Sequence, residues 1–345
     1  MQISSPFISS VFGYVYSKLL QLLPSSIDKA VSLLVGMLVF AIIIGVLVTL
    51  FVYLFGWGER KLMARAHSRH GPTYVGKFGI LQNLADVVKL LAKENIIPDK
   101  ADNPLFKLSL PIVYALFVLI VIFTPLTSTF VGINTSIALI AVFLILSFIP
   151  ILMFIIGWAS GNKFGSIGAQ RSIVMLISYE IPLLLVIAAI AMLAHSYSLS
   201  TIVNDQSSIW YVALMPIGFV VFFIVMLAEM ERPPFDLREA DSELIAGWLT
   251  DVSAPYYGLA LFLDYTRIFV GTLLIAVLFF GGWGGPLLPP FAWILIKIVI
   301  LSIAIVIIRV TVVRMKINRL LRFGWLYLLP LSIINLIVTF VLFIR

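Results

Sequence analysis

Residues 136–159 read SIALIAVFLILSFIPILMFIIGWA and contain no ionisable side chain. This run is long enough to cross a bilayer, because an α-helix needs about 20 apolar residues to span the hydrocarbon core. Seven other long apolar runs flank it, at 31–57, 109–127, 173–194, 209–229, 258–281, 291–313 and 326–344. The pattern predicts an all-α, polytopic membrane protein with about eight transmembrane helices.

The composition predicts a single membrane domain over residues 1–345. The chain is 62% hydrophobic and 11% charged, and its 345 residues leave no room for a separate soluble domain beside eight spans. Residues 1–30 are predicted to form an interfacial segment, with a helix over 7–23, rather than a signal peptide, since Lys18 interrupts the apolar stretch. Residues 58–107 and 229–257 are predicted to be functional cytoplasmic loops.

The distribution of basic residues predicts the topology. The loops after the first, third, fifth and seventh spans hold 18 of the 23 Lys and Arg residues. Basic loops remain in the cytoplasm, so we expect these odd-numbered loops to face the cytoplasm of a prokaryotic cell membrane. The same bias accounts for the net charge of +7 without a nucleic-acid partner. Because 12 of the 16 acids lie in the loops after spans one and five, most polar chemistry is expected on that face.

The chain contains no cysteine. Disulfides, thiolate-ligated iron–sulfur clusters and covalently attached haem are therefore excluded. Its three histidines, His67, His70 and His195, lie outside the predicted spans. We expect no redox centre, metal site or catalytic residue in this chain, so electrons in any redox reaction would reside on a partner or on a diffusing ligand.

Residues 228–247, AEMERPPFDLREADSELIAG, place six carboxylates directly after the fifth span. Asp236 is a predicted helix N-cap, and Glu239 follows three residues later, as in a capping box. Capping leaves the other four acids unexplained. Clustered carboxylates beside a membrane can share protons, which favours a proton-collecting role. A solvated acidic loop is the simpler alternative, although apolar residues such as Trp248 favour a packed loop.

The first long loop contains a predicted amphipathic helix over about Ile80–Glu94, with an apolar stripe on one face. One interpretation is a surface helix in the headgroup layer, and the other is a wall of an opening for an amphiphilic ligand. Arg60, Arg65 and Arg69 precede this helix. Their simplest role is anchoring at the membrane surface, and the alternative is pairing with carboxylates of a partner.

A few ionisable residues fall within or beside the predicted spans. Glu180 lies about one third of the way into the fourth span, where it must be protonated, paired or linked to water. It is either a structural hydrogen-bonding residue or part of a proton relay. Asp264 and Arg267 are three residues apart and could pair on one helix face. Lys297 is expected to extend its ammonium towards the outer membrane surface.

Longer motifs carry a family resemblance. They are ER…HGP..VG.FGILQ.LAD..KLL.KE from Glu59, GWAS…G..R…ISYE ending at Glu180, AE..RPPFDL.EA.SEL.AG from Ala228 and RFGW..LLPL from Arg322. In these motifs the chain resembles the H subunit of the proton-pumping NADH:quinone oxidoreductases, or respiratory complex I, a family that includes mitochondrial NADH dehydrogenase subunit 1. The resemblance runs from Glu59 to the last span.

The resemblance implies a membrane subunit of a complex I-like enzyme. Such a subunit encloses a quinone chamber together with soluble partners, and this chamber opens to lipid near the first span, the amphipathic helix and the sixth span. Quinone is the implied substrate, with no covalently bound cofactor, and the implied partners are other membrane and soluble subunits and the lipid bilayer. The implied quinone-binding residues are Glu59, Arg60, Arg69, Asp86, Lys89 and Phe235. The implied proton-relay residues are Glu180, Glu229, Glu231, Glu239, Asp241, Glu243 and Asp264.

The chain departs from the family pattern at several positions. Thr73 and Tyr74 replace the frequent Asn-Arg pair, and Glu231 replaces an asparagine. These changes favour a divergent prokaryotic branch, with an archaeal branch among the options. Two alternatives stay open: the membrane anchor of a group 4 nickel–iron hydrogenase, which shares PFDL.EA, and an independent secondary transporter. The transporter predicts an internal inverted repeat, which the sequence lacks.

Overall fold

The computed structural model describes residues 29–238 and 241–343, and in this part of the chain all regular structure is helical. The helices are α1 (Lys29–Ala66), α2 (Gln82–Ala92), α3 (Asn103–Phe123), α4 (Ala138–Ala159), α5 (Lys163–Ala194), α6 (Leu199–Asp205), α7 (Tyr211–Leu214), α8 (Pro216–Glu229), α9 (Asp241–Leu244), α10 (Ala254–Phe279), α11 (Pro290–Thr311), α12 (Ile317–Phe323) and α13 (Leu329–Phe343). A π-helical turn, Gly324–Leu328, joins α12 to α13. The predicted interfacial residues before Lys29 lie outside the described part.

The predicted class of an all-α polytopic membrane protein is confirmed. Among the described residues, seven helices are long and apolar enough to cross a membrane: α1, α3, α4, α5, α10, α11 and the continuous Ile317–Phe343 helix. The fifth apolar run, predicted over 209–229, is instead divided into α7 and the 14-residue helix α8. Pro216 begins α8, where its missing N–H is tolerated, so the proline marks the boundary.

Two helices begin nine or ten residues earlier than the apolar runs predict. Helix α5 begins at Lys163 rather than at 173, and the Asn162 side chain caps it by accepting a hydrogen bond from the Phe164 N–H at 3.1 Å. The last helix begins at Ile317 rather than at 326. In both cases polar residues occupy the first turns, so hydropathy detects only the part that follows.

Hydrogen bonds between connections show which loops share one end of the helix bundle. The Asp102 N–H donates to Ala159 O at 2.8 Å, and Met315 N–H donates to Pro234 O at 2.9 Å. These bonds join the loop after the first predicted span to the loop after the third, and the loop after the fifth to the loop after the seventh. The Ile96 N–H, which donates to the Ser253 hydroxyl at 2.9 Å, connects the two pairs. We call this end of the bundle the charged end. At the opposite end, Leu139 N–H donates to Tyr197 O at 2.9 Å. Which side of the membrane the charged end faces stays a prediction.

Helix α10 runs through the centre of the bundle. Every residue from Thr266 to Phe279 is buried, as expected for a helix that is surrounded by others. It contacts α1, α3, α8 and α11, whereas α5 packs against α4, α8 and α13. The polar residues of α10 near the charged end are consequently held in the interior.

Lys297 on α11 directs its ammonium towards the loop between α10 and α11 at the opposite end of the bundle, and that this end meets the outer membrane surface stays a prediction. Its side chain is buried, and its ammonium donates hydrogen bonds to the carbonyls of Phe280, Gly282 and Gly284 at 2.7–2.8 Å. These carbonyls follow the end of α10, where backbone acceptors lack helical partners. Lys297 therefore fixes the loop between α10 and α11 at the opposite end.

Candidate functional site

A polar cavity of about 360 Å³ lies at the charged end, beside the last turns of α1. Helix α1, the loop that follows it, α10 and α11 all contribute to its wall. The lining residues are Glu59, Arg60, Met63, Ala64, Arg69, His70, Gly71, Pro72, Tyr265 and Arg309. We call it the entrance cavity. Its size is within the range of small-molecule sites, and its donors suit a ligand with oxygen acceptors.

Glu59 is the buried anion of the entrance cavity. Its side chain is 2% exposed, and its carboxylate lies 2.6 Å from the guanidinium of Arg309 and 3.6 Å from that of Arg232. The Arg232 guanidinium also lies over the ring of Tyr265, at 5.5 Å from the centroid. A buried carboxylate requires such partners, because an unpaired buried charge is costly. Three distant parts of the chain therefore meet at Glu59.

Arg60 connects the entrance cavity to the amphipathic helix. Its guanidinium donates to Asp86 on α2 at 2.6 Å, and the Lys89 ammonium is 4.0 Å from the same carboxylate. Burial alone would raise the pKa of Asp86, but hydrogen bonds from Arg60 and Gln82 hold it below its usual value. Asp86 and Lys89 therefore stabilise the wall of the cavity from outside it.

A second cavity, of about 170 Å³, adjoins the first and shares Tyr265 and Arg309 with it. Its lining residues are Met230, Glu231, Arg232, Pro233, Asp236, Leu261, Asp264, Tyr265 and Arg309. We call it the inner cavity. The segment after α8 contributes three of the charged residues, and α10 contributes Asp264. The two cavities form a polar path from the end of α1 towards the centre of the bundle.

Glu231 pairs with two deeply buried arginines, Arg238 and Arg267. The predicted pairing of Asp264 with Arg267 is confirmed, at 3.7 Å. Glu231 adopts a left-handed conformation (φ 53°) directly after the end of α8, and this reversal directs its carboxylate back into the protein. Three acids (Glu231, Asp236 and Asp264) and two arginines (Arg232 and Arg309) line the inner cavity, and Arg238 and Arg267 add positive charge beside Glu231.

Asp236 lines the inner cavity but does not cap a helix. Leu237 and Arg238, which would form the first turn of the predicted helix, are not helical, so the N-cap prediction is wrong. Helix α9 begins only at Asp241. Burial, together with the nearby charge of Asp264, raises the pKa of Asp236 despite the neighbouring arginines. Asp236 is therefore a candidate proton-holding group that the sequence analysis assigned to capping.

Two further acids lie deeper in the bundle. Glu229, at the end of α8, is buried and accepts a hydrogen bond from the Tyr179 hydroxyl at 3.0 Å. Glu180, which follows Tyr179 on α5, accepts a hydrogen bond from the hydroxyl of Ser147 on α4. Each of these carboxylates retains one buried oxygen without a hydrogen-bonding partner among the described residues. The arrangement leaves an acceptor site on each carboxylate for a proton.

The remaining predicted site residues lie elsewhere. Glu243 is at the surface, 2.7 Å from Arg171 and 3.3 Å from Arg314. The hydrogen bond from Arg171 lowers the pKa of Glu243. Phe235 is buried beside α5 and α12 and lines neither polar cavity. Glu239 falls outside the described residues.

Residues 38–340 match the family model described as NADH dehydrogenase. The chain belongs to this family. The H subunit of NADH-quinone oxidoreductase from Dehalococcoides mccartyi strain CBDB1 is 38% identical over 84% of this chain and 81% of that protein. The corresponding H subunits of Carboxydothermus hydrogenoformans and Bacillus cytotoxicus are 34% and 37% identical, over 81% of this chain and 81% and 86% of theirs. The sequence-based assignment to this family, and thereby to a subunit of an oxidoreductase, is confirmed, and these relatives are bacterial.

In this member of the NADH dehydrogenase family, sequence analysis missed several residues of the site. Arg232, Tyr265 and Arg309 were not assigned to the cavity. Arg232 and Arg309 were counted only among the basic residues of the odd-numbered loops. The one sequence signal was position along the chain. Arg232 follows the run 209–229, Tyr265 lies in the first third of the run 258–281, and Arg309 lies four residues before the end of the run 291–313.

Proposed function

We propose that this chain is the membrane subunit of a complex I-like quinone oxidoreductase, and that its entrance cavity accepts a quinone headgroup. The observation that carries the proposal is a buried path of acids and arginines, which begins at Glu59 in the entrance cavity and continues through the inner cavity to Glu229. The three relatives reported above are each named as the H subunit of NADH-quinone oxidoreductase, which supports the same interpretation.

The residues of the entrance cavity suit a quinone headgroup. A quinone presents two carbonyl oxygens, which accept hydrogen bonds from groups such as the guanidiniums of Arg60 and Arg309, the Tyr265 hydroxyl and the imidazole of His70. When bound, quinone accepts two electrons and two protons from outside this chain. In this proposal, partner subunits of the complex deliver the electrons to the bound quinone. The role of this chain is then binding, orientation and response to charge.

The coupling role that we propose depends on charge balance. Glu59 is held between Arg232 and Arg309, and Arg232 and Arg309 also line the inner cavity. A change of charge in the entrance cavity alters the potential at Asp236 and Asp264, because charges interact strongly in a low-dielectric interior. Arg267 and Arg238 transmit that change to Glu229, which both guanidiniums attract. Glu180 is near enough for its charge to repel that of Glu229.

Substitution of the two deepest acids tests this proposal. In the assembled complex, Glu229→Gln and Glu180→Gln should each retain electron transfer from the donor to quinone when no proton gradient opposes it. The number of protons translocated per electron should fall in both variants. Glu94→Gln serves as the matched control, because Glu94 is an exposed acid in the loop after the first predicted span, at the charged end. It should change neither electron transfer nor proton translocation per electron. Normal proton translocation in both buried variants would refute the relay.

A further inference from the structure

The face of α1 opposite the entrance cavity carries an apolar groove of about 450 Å³. Residues 47, 50, 51, 54, 55, 58 and 62 lie within one side of the helix at 100° per residue, whereas Glu59, Arg60 and Met63 point to the other side. The groove is lined by Leu47, Leu50, Phe51, Leu54, Phe55, Gly58, Leu62, Leu126, Phe269, Phe291, Ile294, Leu295, Ile298, Val299 and Ile303. Its two long walls are α1 and α11, and no lining residue is charged.

The groove ends at a cationic recess. A cavity of about 310 Å³ continues along the same side of α1 and is lined by Trp57, Gly58, Lys61, Leu62, Arg65 and Phe78. Gly58 and Leu62 line both spaces, so the recess and the groove are contiguous. Within the described part of the chain, no carboxylate lies within 4.0 Å of the Lys61 ammonium or the Arg65 guanidinium. The side chains of Lys61 and Arg65, which have no carboxylate partner among the described residues, therefore lie at the end of the apolar groove.

We propose that the groove and the recess together bind one anionic phospholipid, with an acyl chain between α1 and α11 and its phosphate against Lys61 and Arg65. Such a ligand matches both halves of the site, because it joins a hydrocarbon chain to a negative charge. The groove runs from Leu47 to Leu62, about 22 Å at the helical rise. One leaflet of the hydrocarbon core is about 15 Å thick, so the slot covers the length of one acyl chain.

The headgroup chemistry favours an anionic lipid over a zwitterionic one. Lys61 and Arg65 attract a phosphate but repel the ammonium that accompanies it in phosphatidylcholine. Trp57 lies beside the Lys61 ammonium, 5.8 Å from ring centroid to nitrogen, and aromatic and basic residues together are typical of the headgroup level. This site is separate from the proposed quinone cavity, from which the body of α1 divides it.

The test uses the full chain in vesicles that contain trace phospholipid with a photoreactive diazirine in the acyl chain. One sample carries the probe as phosphatidylglycerol and the other as phosphatidylcholine, and labelled peptides are mapped by mass spectrometry. We expect phosphatidylglycerol to label residues 47–62 and 291–303 several-fold more strongly than phosphatidylcholine does. Lys61→Gln with Arg65→Gln should abolish this preference, so that the two probes label the groove equally, since each basic residue near an anionic headgroup contributes on the order of a fivefold preference. Leu54→Trp should reduce labelling of the groove by both probes.

Lys316→Gln with Arg319→Gln is the matched control, because it removes two exposed basic residues that line no part of the groove. It should leave the preference unchanged. Equal labelling by the two probes in the parent chain would overturn the proposal, since the groove would then hold ordinary boundary lipid. A preference that survives in the Lys61 and Arg65 double variant would also overturn it. In the assembled complex, cross-linking of these residues to a partner helix without lipid labelling would be a third contrary outcome.

Discussion

Glu231 and Glu243 offer a comparison of buried and exposed ion pairs within one short segment. Each carboxylate contacts two arginines: Arg238 and Arg267 at Glu231, and Arg171 and Arg314 at Glu243. The side chains around Glu231 are at most 7% exposed, whereas the Glu243 side chain is 42% exposed. Replacement by glutamine keeps the size of either side chain and removes its charge.

The expected losses of stability differ because of burial. Removing one partner of a buried ion pair costs about 3–5 kcal/mol, since it leaves an uncompensated buried charge. Asp264, 3.7 Å from Arg267, retains part of the compensation, so we expect about 3 kcal/mol for Glu231→Gln. An exposed pair contributes about 0.2–1 kcal/mol, so Glu243→Gln should cost about 1 kcal/mol or less.

The measurement is the free energy of unfolding of the full chain, from titration with a denaturing detergent in mixed micelles. The parent chain and both variants are compared at neutral pH and at the same lipid-to-detergent ratio. Losses of similar size in the two variants would refute the reasoning, as would a loss below about 1 kcal/mol for Glu231→Gln. Either result would mean that water reaches Arg238 and Arg267 more freely than their burial implies.

Three other predictions concern single residues. The lowered pKa of Glu243 means that its pairs stabilise the fold above the ordinary carboxyl pKa and are lost as pH falls through the lowered value. The protection factors for hydrogen exchange of the amides of residues 241–244 should therefore fall on acidification through that range in the parent chain but not in Glu243→Gln. The raised pKa of Asp236 means that its ionised form destabilises the fold above that pKa. Asp236→Asn should therefore increase the free energy of unfolding at pH 7, and this gain should disappear on acidification. A lower free energy of unfolding for Asp236→Asn at pH 7 would contradict this prediction. Gly324→Ala would place a Cβ atom 2.3 Å from the Ser178 carbonyl oxygen and should lower the free energy of unfolding by about 1–3 kcal/mol. In the control Gly45→Ala, the added Cβ meets no heavy atom within 4 Å, so the free energy of unfolding should change by less than about 1 kcal/mol.

Hydropathy predicted most of the fold because membrane helices must be apolar over a fixed length. The fifth run was the exception, since a window of apolar residues does not reveal that Pro216 starts a new helix. The starts of α5 and of the last helix were also missed. In both, polar first turns such as that after Asn162 extend the helix beyond its apolar part.

The site was only partly predictable, because its ion pairs join residues far apart in the sequence. Periodicity within one helix predicted the pairing of Asp264 with Arg267, which are three residues apart. No local pattern connects Glu59 with Arg309, and their pairing depends on how α1 and α11 flank α10. Asp236 was misassigned for a related reason, since a capping box can be recognised in a sequence whose backbone does not become helical there.

The position of Glu180 has an electrical consequence. It lies about one third of the way into the predicted span over residues 173–194 and close to the middle of α5, which runs from Lys163 to Ala194. A charge that crosses the whole membrane changes in energy by about 2.3 kcal/mol per 100 mV. A proton that reaches Glu180 from the charged end crosses roughly one third to one half of that potential, so its binding changes by about 1 kcal/mol per 100 mV. The occupancy of this carboxylate therefore responds to the membrane potential as well as to the proton concentration on either side.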